Sequence, residues 1–269
     1  MNNELIYVYC ISAHNPQLNN IEGYDDLNVF CNGDYYAVTK LVSADEYSEE
    51  NQSKNFSDLS WIEAQVRNHI EVIGLIMKSH TVIPCKFGTI FKTEDSLKDF
   101  LSSYSLSLRE NLDFIEGKEE WAVKIFSNPD IVCKQISSVS ELVRNLEQQI
   151  KESSPGKSFL LKKKMKDLVE QEVERFCNNY AQKSFDALKC DCELHEINKL
   201  LSRQQTGREG EMILNASFFI NEPMVHRFIN TAHSLKKECL SLGFDLEFTG
   251  PWPPFSFISL NHANAGKCN

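Results

Sequence analysis

Apolar positions change their period twice between Glu211 and Leu260, and this stretch anchors the reading of the rest. Met212, Leu214, Ala216, Phe218 and Ile220 alternate with Ile213, Asn215, Ser217 and Phe219. Both sets are largely apolar, which predicts a strand covered on both faces. After Glu222-Pro223 the period lengthens: Val225, Phe228, Ile229, Ala232, Leu235, Cys239 and Leu242 recur at three- and four-residue steps, predicting an amphipathic helix closed by Gly243. Phe244, Leu246 and Phe248 then alternate with Asp245, Glu247 and Thr249 up to Gly-Pro-Trp-Pro-Pro. Prolines donate no ladder hydrogen bond, so the chain there leaves the sheet or follows its edge.

The same reading upstream predicts strands at 5–12, 29–31 and 35–42, the last two joined at Asn32-Gly33-Asp34. Residues 13–28 and 43–57 read as loops, the second polar and acidic. Ser57 or Asp58 caps a helix carrying Leu59, Ile62, Val66, Ile70, Ile73 and Ile76 through Met77. His80–Phe91 is apolar but holds Pro84 and Gly88, so a bent strand with a bulge is expected. A single helix follows from Thr93 through Leu97, Leu101, Tyr104, Leu108, Leu112 and Ile115, ending at Glu116-Gly117-Lys118. Beyond it come a strand at 119–127, a helix at 138–151, a break at Ser153–Gly156, a long helix at about 158–188, a strand at 190–197 and a loop at 200–209.

Charge is unevenly spread. The net charge is −10, and residues 1–118 hold 9 basic against 18 acidic residues (−9), leaving −1 for residues 119–269 with 19 against 20. An acidic N-terminal half excludes nucleic acid and an anionic membrane as expected partners. No apolar run reaches the roughly 18 residues of a membrane helix. MNNELIYVYC has no basic region ahead of its apolar run, so no signal peptide is expected and the cytoplasm is the expected compartment. Nine scattered cysteines, several inside apolar patterns, read as reduced and buried rather than as a disulfide framework.

Candidate chemistry is sparse. Cys190, Cys192 and His195 form a C-x-C-x-x-H cluster, with His226, His233 and Cys239 on a helix that could approach it. The second ligand pair of a zinc finger is missing, and buried thiols are the simpler reading. His69 lies within a helical stripe, where a bonded structural histidine is commoner than a catalyst. Lys162–Lys166 (KKKMK) is the one basic cluster; acids follow it, Lys166 and Glu170 pair at i,i+4, and a solvated face is expected. No phosphate-binding glycine loop, nucleophile elbow or catalytic constellation occurs. Catalytic residues, metal ligands and cofactors are therefore all expected to be none.

MILNASFFI, GPWPPFSF some thirty positions later, and TVIPCKFGTIF at Thr81–Phe91 resemble the gas vesicle accessory proteins of the F/L family. The N-terminal IYVYCI is a weaker match. Cys85 stands where a basic or polar residue is expected, and Cys177, Cys190 and Cys192 fall outside the pattern. The resemblance implies a non-catalytic, minor component of gas vesicle formation. It would bind the hydrophobic shell subunit and other accessory proteins during assembly, with no small-molecule substrate, in the cytoplasm and associated with gas vesicles.

The order of elements from Glu119 is β-α-β-β-α-β, the ferredoxin-like order with an enlarged first helical segment. The fold expected is α+β in two domains. One is an N-terminal α+β domain at 1–118. The other is a C-terminal ferredoxin-like domain at 119–269, with a helical insertion about 138–188 and a short tail. Candidate partner-binding residues are Phe87 and Phe91 on the bend and Trp252, Pro253, Pro254 and Phe255 on the aromatic turn, since Trp and Phe dominate interface hot spots. For Trp252 the competing role is a plug at the end of the C-terminal core. Two other classes stay open on the residues alone. One is a ferredoxin-like metal- or small-molecule-binding regulator or enzyme. The other is a homo-oligomeric scaffold using the 158–188 helix.

Overall fold

The computed structural model describes residues 4–18, 23–47 and 58–260. The chain divides into two compact units: residues up to Glu119 together with the tail from Trp252, and Glu120–Pro251. The expected division ran that tail with the second unit; here it groups with the first. The expected α+β character is observed, with helices and antiparallel sheet throughout.

The first unit is built on β1 (Glu4–Ser12). On one side β1 pairs antiparallel with β3 (Tyr35–Ser43), which continues to β2 (Leu27–Asn32). Asn32 and Tyr35 close that hairpin over Gly33-Asp34. On the other side β1 pairs with β4 (Val82–Pro84) and then β5 (Ile90–Phe91). Pro84 thus sits on an edge strand, where its missing donor costs nothing. Helix α1 (Ala44–Tyr47) turns where a loop is expected, because Tyr47 is buried there. The rest of the expected acidic loop, 48–57, lies outside the described residues. Helix α2 (Leu59–Met77) starts at Asp58, whose carboxylate accepts from the Ser60 and Trp61 amides. Its Val72, Ile73 and Ile76 pack with Tyr7, Tyr9 and Val38.

The expected helix from Thr93 to Ile115 is two helices, α3 (Glu94–Ser103) and α4 (Ser105–Ile115). They meet at Tyr104, whose backbone leaves helical geometry. Its ring lies 4.7 Å from Phe100, and Tyr35 donates its hydroxyl to the Ser105 carbonyl at 2.5 Å. The buried stripe Leu97, Leu101, Leu108, Leu112, Ile115 runs on across the break, which is why spacing alone conceals it.

The second unit opens with β6 (Lys118–Ser127). Asn128 caps α5 (Pro129–Val139), a helix the periodicity did not predict. Its buried positions are only Val132 and Ile136, too few to establish a period. Ser140 recaps the chain into α6 (Glu141–Lys151), and α7 (Pro155–Lys189) runs back along it. Buried Glu172 fixes this hairpin: it accepts from Ser140 Oγ at 2.8 Å and from Arg175 at 2.9 Å. The second strand, β7, spans only Leu194–Ile197. Cys190 and Cys192 therefore lie in the turn after α7, because the long helix runs on to Lys189 before the chain can extend. After the single turn α8 (Arg203–Thr206) come β8 (Glu211–Asn221), α9 (Glu222–Leu242) and β9 (Phe244–Trp252).

The sheet order β7-β8-β6-β9 is the ferredoxin-like arrangement, with β9, which ends at Pro251-Trp252, on the edge. Gly243 ends α9 with φ +85, the left-handed cap that only glycine adopts freely. The core gathers Phe218, Phe228, Leu188, Ile125 and Leu246, all sealed from solvent.

Candidate functional site

The bend at Thr81–Phe91 owes its shape to one histidine. Between β4 and β5 the chain detours through Cys85–Thr89. Its ends are tied to β1 by Cys85 N–H to Tyr9 O and Val8 N–H to Thr89 O, both 2.9 Å. His69, 1% exposed, reaches this detour from α2. Its Nε2 lies 2.9 Å from the Cys85 carbonyl oxygen, which can only accept, so we assign the proton to Nε2. Its Nδ1, 2.8 Å from Tyr7 Oη, then accepts from that hydroxyl. The Tyr7 oxygen in turn accepts from Gly88 N–H at 3.3 Å. Gly88 holds φ +81, which lets its amide turn inward. The chain Gly88–Tyr7–His69–Cys85 thus grips both ends of the turn. Rings add to it: Tyr9 stacks on His69 at 5.5 Å, and Phe87 meets His69 edge-on at 5.9 Å.

Burial sets the protonation of this cluster. Burial lowers the His69 pKa, raises Tyr7, and pushes Tyr9 and the Cys85 thiol up to about 12. Neutral imidazole, protonated thiol and protonated phenols are what a structural cluster needs. His69 thereby takes the bonded structural role that its place in the stripe suggests.

A pH dependence follows. A histidine whose folded pKa lies below the unfolded value near 6.5 binds fewer protons folded than unfolded. Its contribution is complete above about 6.5 and is lost as pH falls through the lower folded value. The denaturation midpoint is expected to drop on acidification below about 6.5, and to drop less in His69→Gln, measured by urea titration across pH.

The six expected contact residues sort by exposure. Phe87 is half-buried against Tyr7 and His69. Phe91, paired opposite Ile6, packs against Phe100 with ring centroids 5.3 Å apart, whereas Ile90 opposite Tyr7 packs toward α2. Ile90 and Phe91 face opposite sides of the sheet, and Phe87 packs in the same cluster as Ile90, so Phe87 and Phe91 do not share one surface. At the aromatic turn Pro253 and Pro254 are buried, while Trp252 and Phe255 are 37% and 41% exposed. The turn is closed by Phe255 N–H to Pro253 O at 2.7 Å, and Asn111 Nδ2 holds the Ser259 carbonyl at 3.0 Å. Prolines anchor it and two aromatic rings reach water.

In the second unit Cys190 and Cys192 lie beside a turn, with Cys192 Sγ 3.9 Å from His195 Nδ1. Burial raises the Cys192 thiol to about 11, against the thiolate a metal needs. His226 lines a surface groove with Arg227 and Asn230, while Cys239 is buried. Among the described residues no cluster of three or more metal-ligating side chains forms.

One feature escaped the sequence. Arg208 lies over the Phe126 ring at 4.4 Å, donates to Asp245 Oδ2 at 2.8 Å and also binds Glu247. Asp245 and Glu247 share one strand face, a spacing that asks for a cation.

The fold and surface define a two-unit α+β protein with partly exposed aromatics at one turn and buried, neutral titratable groups at the bend. Residues 5–259 match the family described as "Gas vesicle synthesis protein GvpL/GvpF", and the chain belongs to that family. It is 21% identical over 232 residues to gas vesicle protein L of Streptomyces sp. (strain CB03234), covering 85% of this chain and 81% of the relative. It is 21% identical to gas vesicle protein F1 of Halobacterium salinarum (strain ATCC 700922 / JCM 11081 / NRC-1), with 96% and 94% covered. The crystal structure of GvpF from Anabaena sp. PCC7120 superposes with a TM-score of 0.71 at 18% identity, over 96% of this chain and all of that one. That of GvpF from Microcystis aeruginosa gives 0.66 at 16%, over 95% and 99%. Among the described residues no helix is long and apolar enough to cross a membrane.

Proposed function

We propose that this protein is a non-catalytic accessory factor in gas vesicle formation. It acts in the cytoplasm, binding the hydrophobic shell subunit, and other accessory proteins, while the vesicle assembles. The observation that carries the contact site is the turn at Trp252–Phe255, where two large rings are exposed on a proline-anchored base. An unassembled shell subunit presents apolar surface that aggregates, and aromatic anchors can cover such surface. The acidic first unit keeps the complex soluble through its net negative charge. Family membership supplies the process.

The test is a pull-down of the shell subunit with Trp252→Ala/Phe255→Ala. Hot-spot anchors are each worth about 2 kcal/mol or more, so retained subunit is expected to fall at least ~10-fold. Undiminished capture by a folded double variant would remove the turn from the interface.

A further inference from the structure

We propose that the protein self-associates head to tail, the Phe159–Leu160 knob of one copy seating in a groove of the next. The knob stands near the tip of the α6–α7 hairpin, four residues into α7. Phe159 is 74% and Leu160 63% exposed, and exposed Lys157, Lys162, Lys163 and Lys164 surround them in sequence. Two adjacent large apolar side chains with basic flanks make a contact surface rather than an ordinary solvated face.

The same unit carries a matching receptor. A groove of about 420 Å³ runs between the start of α5 and the end of α9. Its apolar lining is Phe126, Phe244, and the exposed side chains of Ile131 and Leu240 at 42% and 66%, beside Ser127 and Asn128. The charged side chains lining it are Glu209 and Asp245 against Arg208, and Arg208 is engaged by Asp245 and Glu247. Exposed Asp130 adjoins Ile131. An apolar slot with carboxylates at its lip complements an apolar knob ringed by lysines.

The knob cannot enter its own groove. Phe176 of the same helix stacks on Phe244 of the groove wall at 5.5 Å. From residue 159 to 176 an unbroken helix spans about 25 Å, so α7 holds the knob that far off. The occupant is a second copy. Knob and groove are different surfaces, so the contact is heterologous and leads to open chains or rings. The small area makes it weak.

Sedimentation velocity on the whole protein tests this. At roughly 200 µM, a concentration that populates a weak contact, the mass-average is expected to reach at least about twice the monomer value and to fall at high salt. Phe159→Ser/Leu160→Ser and Leu240→Glu, all at exposed positions, should each stay monomeric. Mixed, the two variants should form a dimer and stop there, because one retains the groove and the other the knob. A monomeric wild type, unchanged association in either variant, or a mixture that stays monomeric while wild type associates would each overturn the proposal.

Discussion

Replacing His69 with leucine is expected to destabilise the protein by about 2–6 kcal/mol. Leucine fills much of the volume but offers neither a donor nor an acceptor. The Cys85 carbonyl and the Tyr7 hydroxyl would then lie buried without their partner, and each such loss costs about 1–3 kcal/mol. The loss is local in origin, because the ring grips only the Cys85–Gly88 detour and the strand beneath it. Hydrogen exchange should therefore quicken first at Cys85, Gly88 and Val8, whose amides close that turn. A chemical denaturation midpoint within about 0.5 kcal/mol of wild type would show that the hydrogen-bonded chain is incidental.

Phe218→Ala should cost about 3–5 kcal/mol, the range for deleting a sealed aromatic ring. Phe218 is 0% exposed, at the centre of β8. It touches Phe185 of α7 at 5.8 Å and Phe228 of α9 at 5.3 Å, so one ring joins sheet and both long helices. Packing is close and the surrounding rings belong to rigid helices, so the cavity would collapse only in part. Faster exchange is expected along β6, β8 and α9. A variant as stable as wild type would mean that the ferredoxin-like core is not organised around this strand.

Much of this was legible because period carries burial. The alternation in β8 and the helical step from Val225 to Leu242 give strand, helix and strand with boundaries within a few residues. Gly243 and the edge position of β9 followed from backbone chemistry alone. Period fails where an element is short or a stripe continues through a break. Helix α5 buries two apolar side chains, and Tyr104 divides a helix without disturbing the stripe of Leu101 and Leu108.

The candidate site was legible as composition and not as geometry. Aromatic residues at 87, 91, 252 and 255 are visible in the sequence. That Phe87 and Phe91 lie on opposite sides depends on the pairing of Ile90 and Phe91 with Tyr7 and Ile6, more than 80 positions away. The stripe of α2 placed His69 on a buried face, yet its partners Tyr7, Cys85 and Gly88 come together only through the sheet. Arg208 shows the same limit: Asp245 and Glu247 ask for a cation, but nothing local says which one arrives.

In the proposed role, exposed aromatic rings cover the apolar surface of an unassembled shell subunit. The direct measurement is the fraction of shell subunit that stays in solution when produced together with this protein. Wild type should raise that fraction severalfold, in line with anchors of about 2 kcal/mol, and Trp252→Ala/Phe255→Ala should return it to the level of the subunit alone. Equal solubilisation by the folded double variant, or none by wild type, would contradict it.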